Sequence, residues 1–418
     1  MKGNHDIASS PFPFHLMAKP VGNACNLACD YCFYLEKGSL YSGRPRLMDE
    51  ALLETYIRST FRAHPEGAEI TFTWQGGEPT LAGLDFFEKA VVCQSALAKG
   101  RKYKNSFQTN GLLIDDRWAA FLARHNFLVG LSLDGPHYLH DIHRRTAAGG
   151  PSHGLAVRAF HLLRQHGVAV NILCCVTSGN QSQALEVYSF FKENGVGFIQ
   201  FIPVVERWPG DEARRKGLSL GSPDSAGDPT PWSADGLAYG RFLADIFMEW
   251  VKKDVGQIFV MNFEWALASY LGRPGAACHH QPLCGRCLVL EHDGSVYACD
   301  HYVYADSRRG NLRSETLTGM VDDRLQWDFG EAKNKTLSAR CRDCQFLSGC
   351  WGGCPKHRFI FEGQEAQNYF CPGYRHFFQN ARPYLQALAY LHNQDRPLAD
   401  IMGLTLAIAG RPVEKSSC

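Results

Sequence analysis

The sequence predicts an α/β protein in which a partial (β/α)6 barrel is followed by a cysteine-rich domain and a C-terminal helical segment. Six short apolar runs alternate with amphipathic stretches between residues 14 and 203. Nine of the 16 cysteines lie between Cys278 and Cys371, and residues 373–409 have helical periodicity. Six βα units are too few for a closed eight-stranded barrel. We therefore prefer an open partial barrel to a doubly wound sheet, although the pattern separates the two poorly.

The strands and helices of the barrel are predicted from hydrophobic periodicity. The strand candidates are Phe14–Lys19, Glu69–Trp74, Lys104–Gln108, Phe127–Asp134, Val168–Val176 and Gly197–Ile202. Apolar residues recur at helical spacing between them, which predicts helices over Met48–His64, Asp85–Ala98, Asp115–His125, Gly154–His166 and Gln181–Asn194. Because strands and helices alternate, we expect a parallel sheet covered by helices.

The rest of the chain divides by composition. Residues 206–232 are rich in Gly, Pro, Ser, Asp and Arg and read as a surface insertion or linker, which precedes a long predicted helix over Ala234–Lys253. Residues 278–371 have little periodicity beyond a predicted β-hairpin that turns at Asp293-Gly294. The predicted division is an N-terminal tail at 1–13, a barrel at 14–233, a connecting helical segment at 234–277, a cysteine-rich domain at 278–375 and a C-terminal helical tail at 376–418.

Charge and hydropathy exclude several classes of protein. The formal net charge is +1, so we expect neither a nucleic acid nor a membrane surface as partner. The sequence has no apolar run of membrane-spanning length, and its first 14 residues lack the apolar core of a secretory signal. These features predict a cytoplasmic protein. In that reducing compartment, clustered cysteines more often bind metal than form disulfides.

The first cysteine cluster follows the first predicted strand. Cys25, Cys29 and Cys32 have C-x3-C-x2-C spacing. Three thiolates on one loop can hold three irons of a 4Fe–4S cluster and leave the fourth iron open, which is typical of a catalytic site. The alternative is a zinc site, although structural zinc usually takes four protein ligands.

Two further motifs follow other predicted strands and make the comparison with a known family specific. Gly76-Gly77-Glu78-Pro79 closes the second strand, and Ser132-Leu133-Asp134-Gly135-Pro136 closes the fourth and precedes Arg144. Together with the cysteine spacing, they resemble the radical S-adenosylmethionine (SAM) superfamily. The resemblance implies that SAM binds the open iron of this cluster. It assigns the SAM contacts to Tyr31, Gly76, Gly77, Glu78, Ser132 and Arg144, and Arg145 adjoins the last of these.

The C-terminal cysteines provide enough ligands for two more 4Fe–4S clusters or for a pair of zinc sites. Their array resembles the SPASM domain of radical SAM peptide maturases, which implies two auxiliary clusters with interleaved ligands. For auxiliary cluster I the ligands are Cys278, Cys284, Cys299 and Cys354, and for auxiliary cluster II they are Cys341, Cys344, Cys350 and Cys371. The extra Cys287 is a spare thiol, an alternative ligand or a packed core residue, and we favour a role without chemistry. We predict that His279 and His280 lie on the surface.

Several flanking segments narrow the resemblance to the anaerobic sulfatase-maturating enzymes. These segments are Met17-Ala18-Lys19-Pro20, Cys32-Phe33-Tyr34-Leu35-Glu36-Lys37, Gln108-Thr109-Asn110-Gly111, Gln200-Phe201-Ile202-Pro203 and Tyr297-Ala298-Cys299-Asp300-His301-Tyr302. The resemblance implies conversion of a cysteine or serine of a sulfatase to Cα-formylglycine, after a 5′-deoxyadenosyl radical takes hydrogen from Cβ. It also implies Asp300 as the base, Gln75 and Tyr34 in the substrate pocket, and an electron donor such as flavodoxin or ferredoxin.

Two other functions stay open on the sequence alone. One is a radical SAM/SPASM maturase that crosslinks or otherwise modifies a ribosomally made peptide, because such an enzyme would use the same cysteines. The other is a non-catalytic zinc-binding or electron-transfer protein, which would have no use for the Gly76–Pro79 motif.

Overall fold

The computed structural model describes residues 9–40, 47–215, 217–221, 223, 227–273 and 275–409. Most of the predicted N-terminal tail, part of the 206–232 insertion and the end of the C-terminal tail lie outside the described residues. The strands are β1 His15–Lys19, β2 Ile70–Trp74, β3 Tyr103–Thr109, β4 Phe127–Ser132, β5 Ala169–Val176, β6 Phe198–Pro203, β7 Phe259–Val260, β8 Cys287–Glu291, β9 Ser295–Tyr297, β10 Arg308–Asn311, β11 Arg358–Glu362 and β12 Glu365–Asn368.

A helix follows each of the strands β2, β3 and β5. The helices are α1 Glu50–Ala63, α2 Leu84–Ala98, α3 Asp116–Arg124, α4 His137–His143, α5 His153–Gln165, α6 Ala184–Glu193, α7 Asp211–Arg215, α8 Gly236–Lys253, α9 Met261–Tyr270, α10 Leu317–Val321, α11 Arg324–Lys335, α12 Ala339–Arg342, α13 Leu347–Cys350, α14 Cys371–Asn393 and α15 Ile401–Ala409. None of the described helices is both long and apolar enough to cross a membrane.

Ten strands form one open sheet in the order β10-β9-β8-β1-β2-β3-β4-β5-β6-β7. Strands β1 to β6 pair in parallel with their neighbours in sequence. In β2, β3 and β4 buried side chains alternate with partly or fully exposed ones, and the buried Trp74 and Phe107 pack against Phe87 of α2 and Trp118 of α3. The predicted α/β class and the six parallel barrel strands are therefore confirmed.

Four strands, β7 at one end and β8, β9 and β10 at the other, extend the sheet beyond the six barrel strands. At one end, β7 pairs in parallel with β6. At the other end, β8 pairs in parallel with β1 over its full length, from His15 opposite Cys287 to Lys19 opposite Glu291. The hairpin of β8 and β9 forms as predicted. Its pairing with β1 joins segments far apart in sequence, and local periodicity carries no information about such a pairing.

Helix α14, which begins at Cys371, packs directly on α8. A Cβ on Gly240 would lie 2.1 Å from the carbonyl oxygen of Gly373, and one on Gly236 would lie 2.3 Å from that of Tyr369. Only glycine allows the two helix backbones to approach this closely. The contact fixes the last of the C-terminal cysteines relative to the barrel.

Candidate active site

The motifs predicted to bind SAM meet at the carboxyl ends of the parallel strands. The loop with Cys25 follows β1, the Gly76–Pro79 turn follows β2, Asn110 follows β3, and Asp134 follows β4. Parallel strands place these ends at one edge of the sheet, where barrel enzymes build their sites. Ser132 is buried at the last position of β4.

The cysteine loop and the Gly76–Pro79 turn lie against each other. The backbone N–H groups of Gly77 and Glu78 donate to the carbonyl oxygens of Gly22 and Ala24, both at 2.8 Å. A Cβ on Gly77 would lie 2.0 Å from the oxygen of Ala24, so this position requires glycine. The turn thereby braces the loop that carries Cys25.

The three thiols of this loop interact electrostatically with one another. Burial raises the pKa of Cys25 to about 11 and raises that of Cys29 further. Buried thiols with raised pKa values become thiolates when a metal cation compensates their charge. The three side chains therefore fit an iron–sulfur cluster.

The carboxylate of Glu78 is buried and forms four hydrogen bonds. One oxygen accepts from the backbone N–H of Thr80 at 3.0 Å and from the hydroxyls of Thr80 and Thr109 at 2.7 Å each. The other oxygen accepts from the backbone N–H of Asn110 at 2.7 Å. Burial raises the pKa of Glu78, and these donors oppose the increase. The hydrogen bonds of Glu78 thus link the end of β2 to the end of β3. Its contact with SAM stays a prediction.

A buried aspartate joins two of the predicted SAM residues. Asp134 accepts from the Tyr31 hydroxyl at 2.5 Å and from Arg144 Nε at 2.8 Å, both through Oδ2, and from the backbone N–H of Cys175 at 2.8 Å through Oδ1. Arg145 is exposed and donates to the carbonyl oxygen of Asp141. The structure therefore brings Arg144, and not Arg145, to the site.

The C-terminal cysteines form two groups in space. Cys341, Cys344, Cys350 and Cys371 line one cavity together with Arg340, Asn368 and Tyr374. Burial and the nearby thiol of Cys278 raise the pKa of Cys284 to about 12 and that of Cys354 to about 11. Partial burial, followed by the thiols of Cys354 and Cys278, also raises the pKa of Cys299. The two groups have the membership expected for the two auxiliary clusters, and every cysteine that the structure describes is a free thiol.

The predicted base lies beside a buried lysine at the end of β1. Lys19 Nζ forms an ion pair with Asp300, donates to Gln75 Oε1 at 3.4 Å, and lies 3.8 Å from the centroid of the Tyr34 ring. The Lys19 side chain is 1% exposed, whereas that of Asp300 is 19% exposed. Tyr34 in turn donates to the buried Glu291 of β8. The structure therefore gathers all three residues predicted for the substrate region around Lys19.

Known proteins match this sequence over nearly the whole chain. Residues 20–191 match the Radical SAM superfamily, and residues 282–345 match the SPASM iron–sulfur cluster-binding domain. The chain is 40% identical over 399 residues to the serine-type anaerobic sulfatase-maturating enzyme of Bacteroides thetaiotaomicron, which covers 94% of this chain and 96% of that enzyme. This chain belongs to the anaerobic sulfatase-maturating enzymes. The predicted radical SAM enzyme class, the SPASM domain and the iron–sulfur cofactors are thereby confirmed.

Two further comparisons support membership of this family. The cysteine-type enzyme of Clostridium perfringens is 34% identical over 381 residues, with 89% of this chain and 97% of that enzyme covered. The solved structure of native anSMEcpe with bound AdoMet and the Cp18Cys peptide matches with a TM-score of 0.79 at 32% identity. That match covers 91% of this chain and 99% of the solved one.

Sequence reasoning missed two charged residues of this sulfatase-maturating enzyme's site. The sequence marks Asp134 only as part of a strand-end motif and Lys19 only as part of a flanking segment. A signal existed for both, because each is a charged residue at the end of an apolar predicted strand, where a parallel sheet places its site. The sequence does not reveal their partners, because Lys19 and Asp300 are far apart along the chain.

The prediction that His280 lies on the surface is wrong. Its ring is buried, and Nδ1 lies 2.7 Å from the carbonyl oxygen of Gly349. This contact links the segment after Cys278 to the residue before Cys350. Charge and polarity predicted exposure, whereas a specific hydrogen-bond partner makes burial of the imidazole favourable.

The two neighbouring arginines should differ sharply in their effect on stability. We expect Arg144→Gln to lower the free energy of unfolding by about 3–5 kcal/mol, because it leaves the Asp134 carboxylate buried without its cation. Arg145→Gln is the matched control and should change it by no more than about 0.5 kcal/mol. Urea unfolding of the cluster-free chain, followed by tryptophan fluorescence, measures both. Equal effects of the two substitutions would contradict this account of the Asp134 ion pair.

Proposed function

We propose that this enzyme converts a serine or cysteine of a sulfatase to Cα-formylglycine. The observation that carries the proposal is the match to anSMEcpe with bound AdoMet and peptide, which extends over 99% of that chain. The three residues expected at the substrate also converge on Lys19. The residues proposed to hold SAM lie at the same edge of the sheet, at the ends of β2 and β4.

The proposed reaction removes two hydrogens from the target side chain. When bound, the SAM cluster and SAM supply a 5′-deoxyadenosyl radical, and an auxiliary cluster supplies the acceptor for one electron. The chemistry supplied there would be removal of one hydrogen atom from Cβ, which would give 5′-deoxyadenosine. Loss of a proton and an electron then leaves an aldehyde from serine, or a thioaldehyde from cysteine. Water converts the thioaldehyde to the aldehyde with release of hydrogen sulfide.

Asp300 is the proposed proton acceptor, and its surroundings support that role. The ion pair with Lys19 fixes the direction of the carboxylate, and a carboxylate held in a fixed direction is suited to general base catalysis. Gln75 is held from both sides, since it accepts from Lys19 and donates to Gln108 Oε1 at 2.7 Å. Gln75 and Tyr34 are proposed to orient the target Cβ beside Asp300.

We further propose that the preferred target residue is serine. The support is the higher identity to the serine-type enzyme, 40%, than to the cysteine-type enzyme, 34%. The proposed electron donor is a flavodoxin or ferredoxin, and the proposed compartment is the cytoplasm. Similarity to Streptococcus suis SuiB, solved with the precursor peptide SuiA, is limited to the fold, at 16% identity and a TM-score of 0.56.

Incubation of the reconstituted enzyme with SAM, dithionite and sulfatase-derived peptides tests these proposals. The peptides contain C/S-x-P/A-x-R and differ only in having serine or cysteine at the target position. Anaerobic reconstitution should load about 12 iron atoms per chain. We expect the serine peptide to lose two hydrogen atoms in step with 5′-deoxyadenosine formation, and faster than the cysteine peptide is converted.

Three outcomes would contradict parts of the proposal. Faster conversion of the cysteine peptide would overturn the proposed serine preference. Formation of 5′-deoxyadenosine with both peptides unchanged would favour a different peptide substrate. Zinc without iron, and no SAM cleavage, would refute the proposed chemistry altogether.

A further inference from the structure

Two cations lie beside the C-terminal cysteines without a carboxylate partner. They are Lys333 near the end of α11 and Arg358 at the start of β11. Among the residues that the structure describes, no aspartate or glutamate forms an ion pair with either of them. Lys333 is buried and Arg358 is partly exposed, and a buried cation without a counter-ion costs several kcal/mol. The surroundings of these two side chains therefore indicate where a missing negative charge would lie.

Lys333 is only 1% exposed and touches the ligand loop proposed for auxiliary cluster I. Its Nζ donates to the carbonyl oxygen of Cys278 at 2.7 Å and also to that of Gln281. Both acceptors are neutral, so they satisfy hydrogen bonds without balancing the charge. Burial lowers the pKa of Lys333, and the thiols of Cys284 and Cys278 oppose that effect. The hydrogen bond to Cys278 thus places this ammonium beside a proposed ligand of auxiliary cluster I.

Arg358 lies between the two groups of cysteines. It donates to the carbonyl oxygens of Trp351 at 2.9 Å and Gly352 at 3.0 Å, in the segment that joins Cys350 of one group to Cys354 of the other. It also donates to the carbonyl oxygen of Lys333 at 2.6 Å. Its guanidinium interacts electrostatically with thiols of both groups. Arg358 is therefore placed to act on two clusters, and Lys333 on one.

We propose that Lys333 and Arg358 are counter-charges of the auxiliary clusters and raise their reduction potentials, Lys333 that of cluster I and Arg358 those of both. A cluster with four thiolate ligands is an anion, and it gains one further negative charge when it accepts one electron. A nearby fixed cation stabilises the reduced state more than the oxidised state. Charge and hydrogen bonding around a cluster are among the factors that set its potential.

This inference rests on the proposed function in one respect only, the transfer of an electron from the substrate to an auxiliary cluster. A higher potential makes auxiliary cluster I a better acceptor for the electron that leaves the substrate. The potential itself is measurable without peptide or SAM. Failure of the inference and failure of formylglycine formation are therefore separate results.

An EPR-monitored redox titration of the reconstituted full-length chain with dithionite as reductant tests the inference. The chain carries alanine at the three SAM-cluster cysteines, Cys25, Cys29 and Cys32, so that only the auxiliary clusters give a signal. Lys333→Gln keeps a hydrogen-bond donor for the two carbonyls but removes the charge. We expect this substitution to lower one midpoint potential by about 59 mV, which for a one-electron couple is a tenfold shift in the reduction equilibrium.

Three further variants complete the design. Lys333→Arg keeps the charge and should hold the potential near that of the parent. Arg358→Gln should lower both midpoint potentials. Lys335→Gln is the matched control on the same helix, since Lys335 is exposed and pairs with Glu331, and it should change neither.

Several results would overturn the inference. Unchanged potentials in a fully loaded Lys333→Gln chain would do so, as would equal shifts in Lys333→Gln and Lys335→Gln. If the Lys333→Gln chain does not load its irons, the Lys333→Arg chain tests the inference instead. A loaded Lys333→Arg chain with the parent's potential supports the charge role, whereas a fall of tenfold or more in its reduction equilibrium refutes it.

Discussion

Substitution of Cys25 by alanine, Cys25→Ala, should abolish SAM cleavage and leave the auxiliary clusters loaded. Two remaining thiols on the loop, Cys29 and Cys32, cannot hold the cluster that leaves one iron free for SAM. The C-terminal cysteines lie on other segments, and four of them line their own cavity. Iron analysis should fall to about 8 atoms per chain. The 5′-deoxyadenosine formed with SAM and dithionite should fall below detection.

The matched control is Cys93→Ala. Cys93 is a half-buried residue of α2 outside all three groups of cysteines, so this variant should keep its iron and its SAM cleavage. Retained 5′-deoxyadenosine formation in Cys25→Ala would refute the assignment of this loop to the SAM cluster. Loss of all iron would show that the auxiliary clusters depend on the first one, contrary to their separate positions in the structure.

Asp300→Asn should separate SAM cleavage from product formation. The amide cannot accept the substrate proton, and loss of a general base typically costs about 10²–10⁴-fold in rate. We therefore expect formylglycine formation to fall by about that factor while 5′-deoxyadenosine still appears. Mass spectrometry of the peptide and chromatography of 5′-deoxyadenosine in the same reaction measure the two yields.

Asp306→Asn provides the control for this substitution. Asp306 is exposed, lies a few residues further along the same segment, and should keep the parent's ratio of product to 5′-deoxyadenosine. Full turnover by Asp300→Asn would remove Asp300 from its proposed role. Loss of SAM cleavage in the same variant would mean that the ion pair with Lys19 supports the barrel instead of the proton transfer.

Most of the barrel was predictable because its signals are local. Each of the strands β1 to β6 was predicted within two residues at either end, since most of them are short apolar runs between turns. Capping is a local feature as well, since Asp49 caps α1 by accepting a hydrogen bond from the backbone N–H of Leu52. The pairing of β8 with β1 was not predictable, because the local sequence of neither strand identifies the other as its partner.

The candidate site divides in the same way. The spacing of Cys25, Cys29 and Cys32 and the array of C-terminal cysteines identify the chemistry, because thiolates on short loops have few other uses in a reducing compartment. The partners of charged residues were not predictable. Neither the ion pair of Arg144 with Asp134 nor the contact of His280 with Gly349 leaves a trace in local sequence.

The sequence by itself determined the fold class, the cysteine ligands expected for three clusters and the family resemblance, because each depends on residue type and spacing along the chain. Only the tertiary structure decided which charges meet. It joined Lys19 of β1 to Asp300 beyond β9, selected Arg144 over Arg145, and set Lys333 and Arg358 beside the C-terminal cysteines. Burial makes an unpaired charge costly, so the partner of each buried charge is set by the folded chain as a whole.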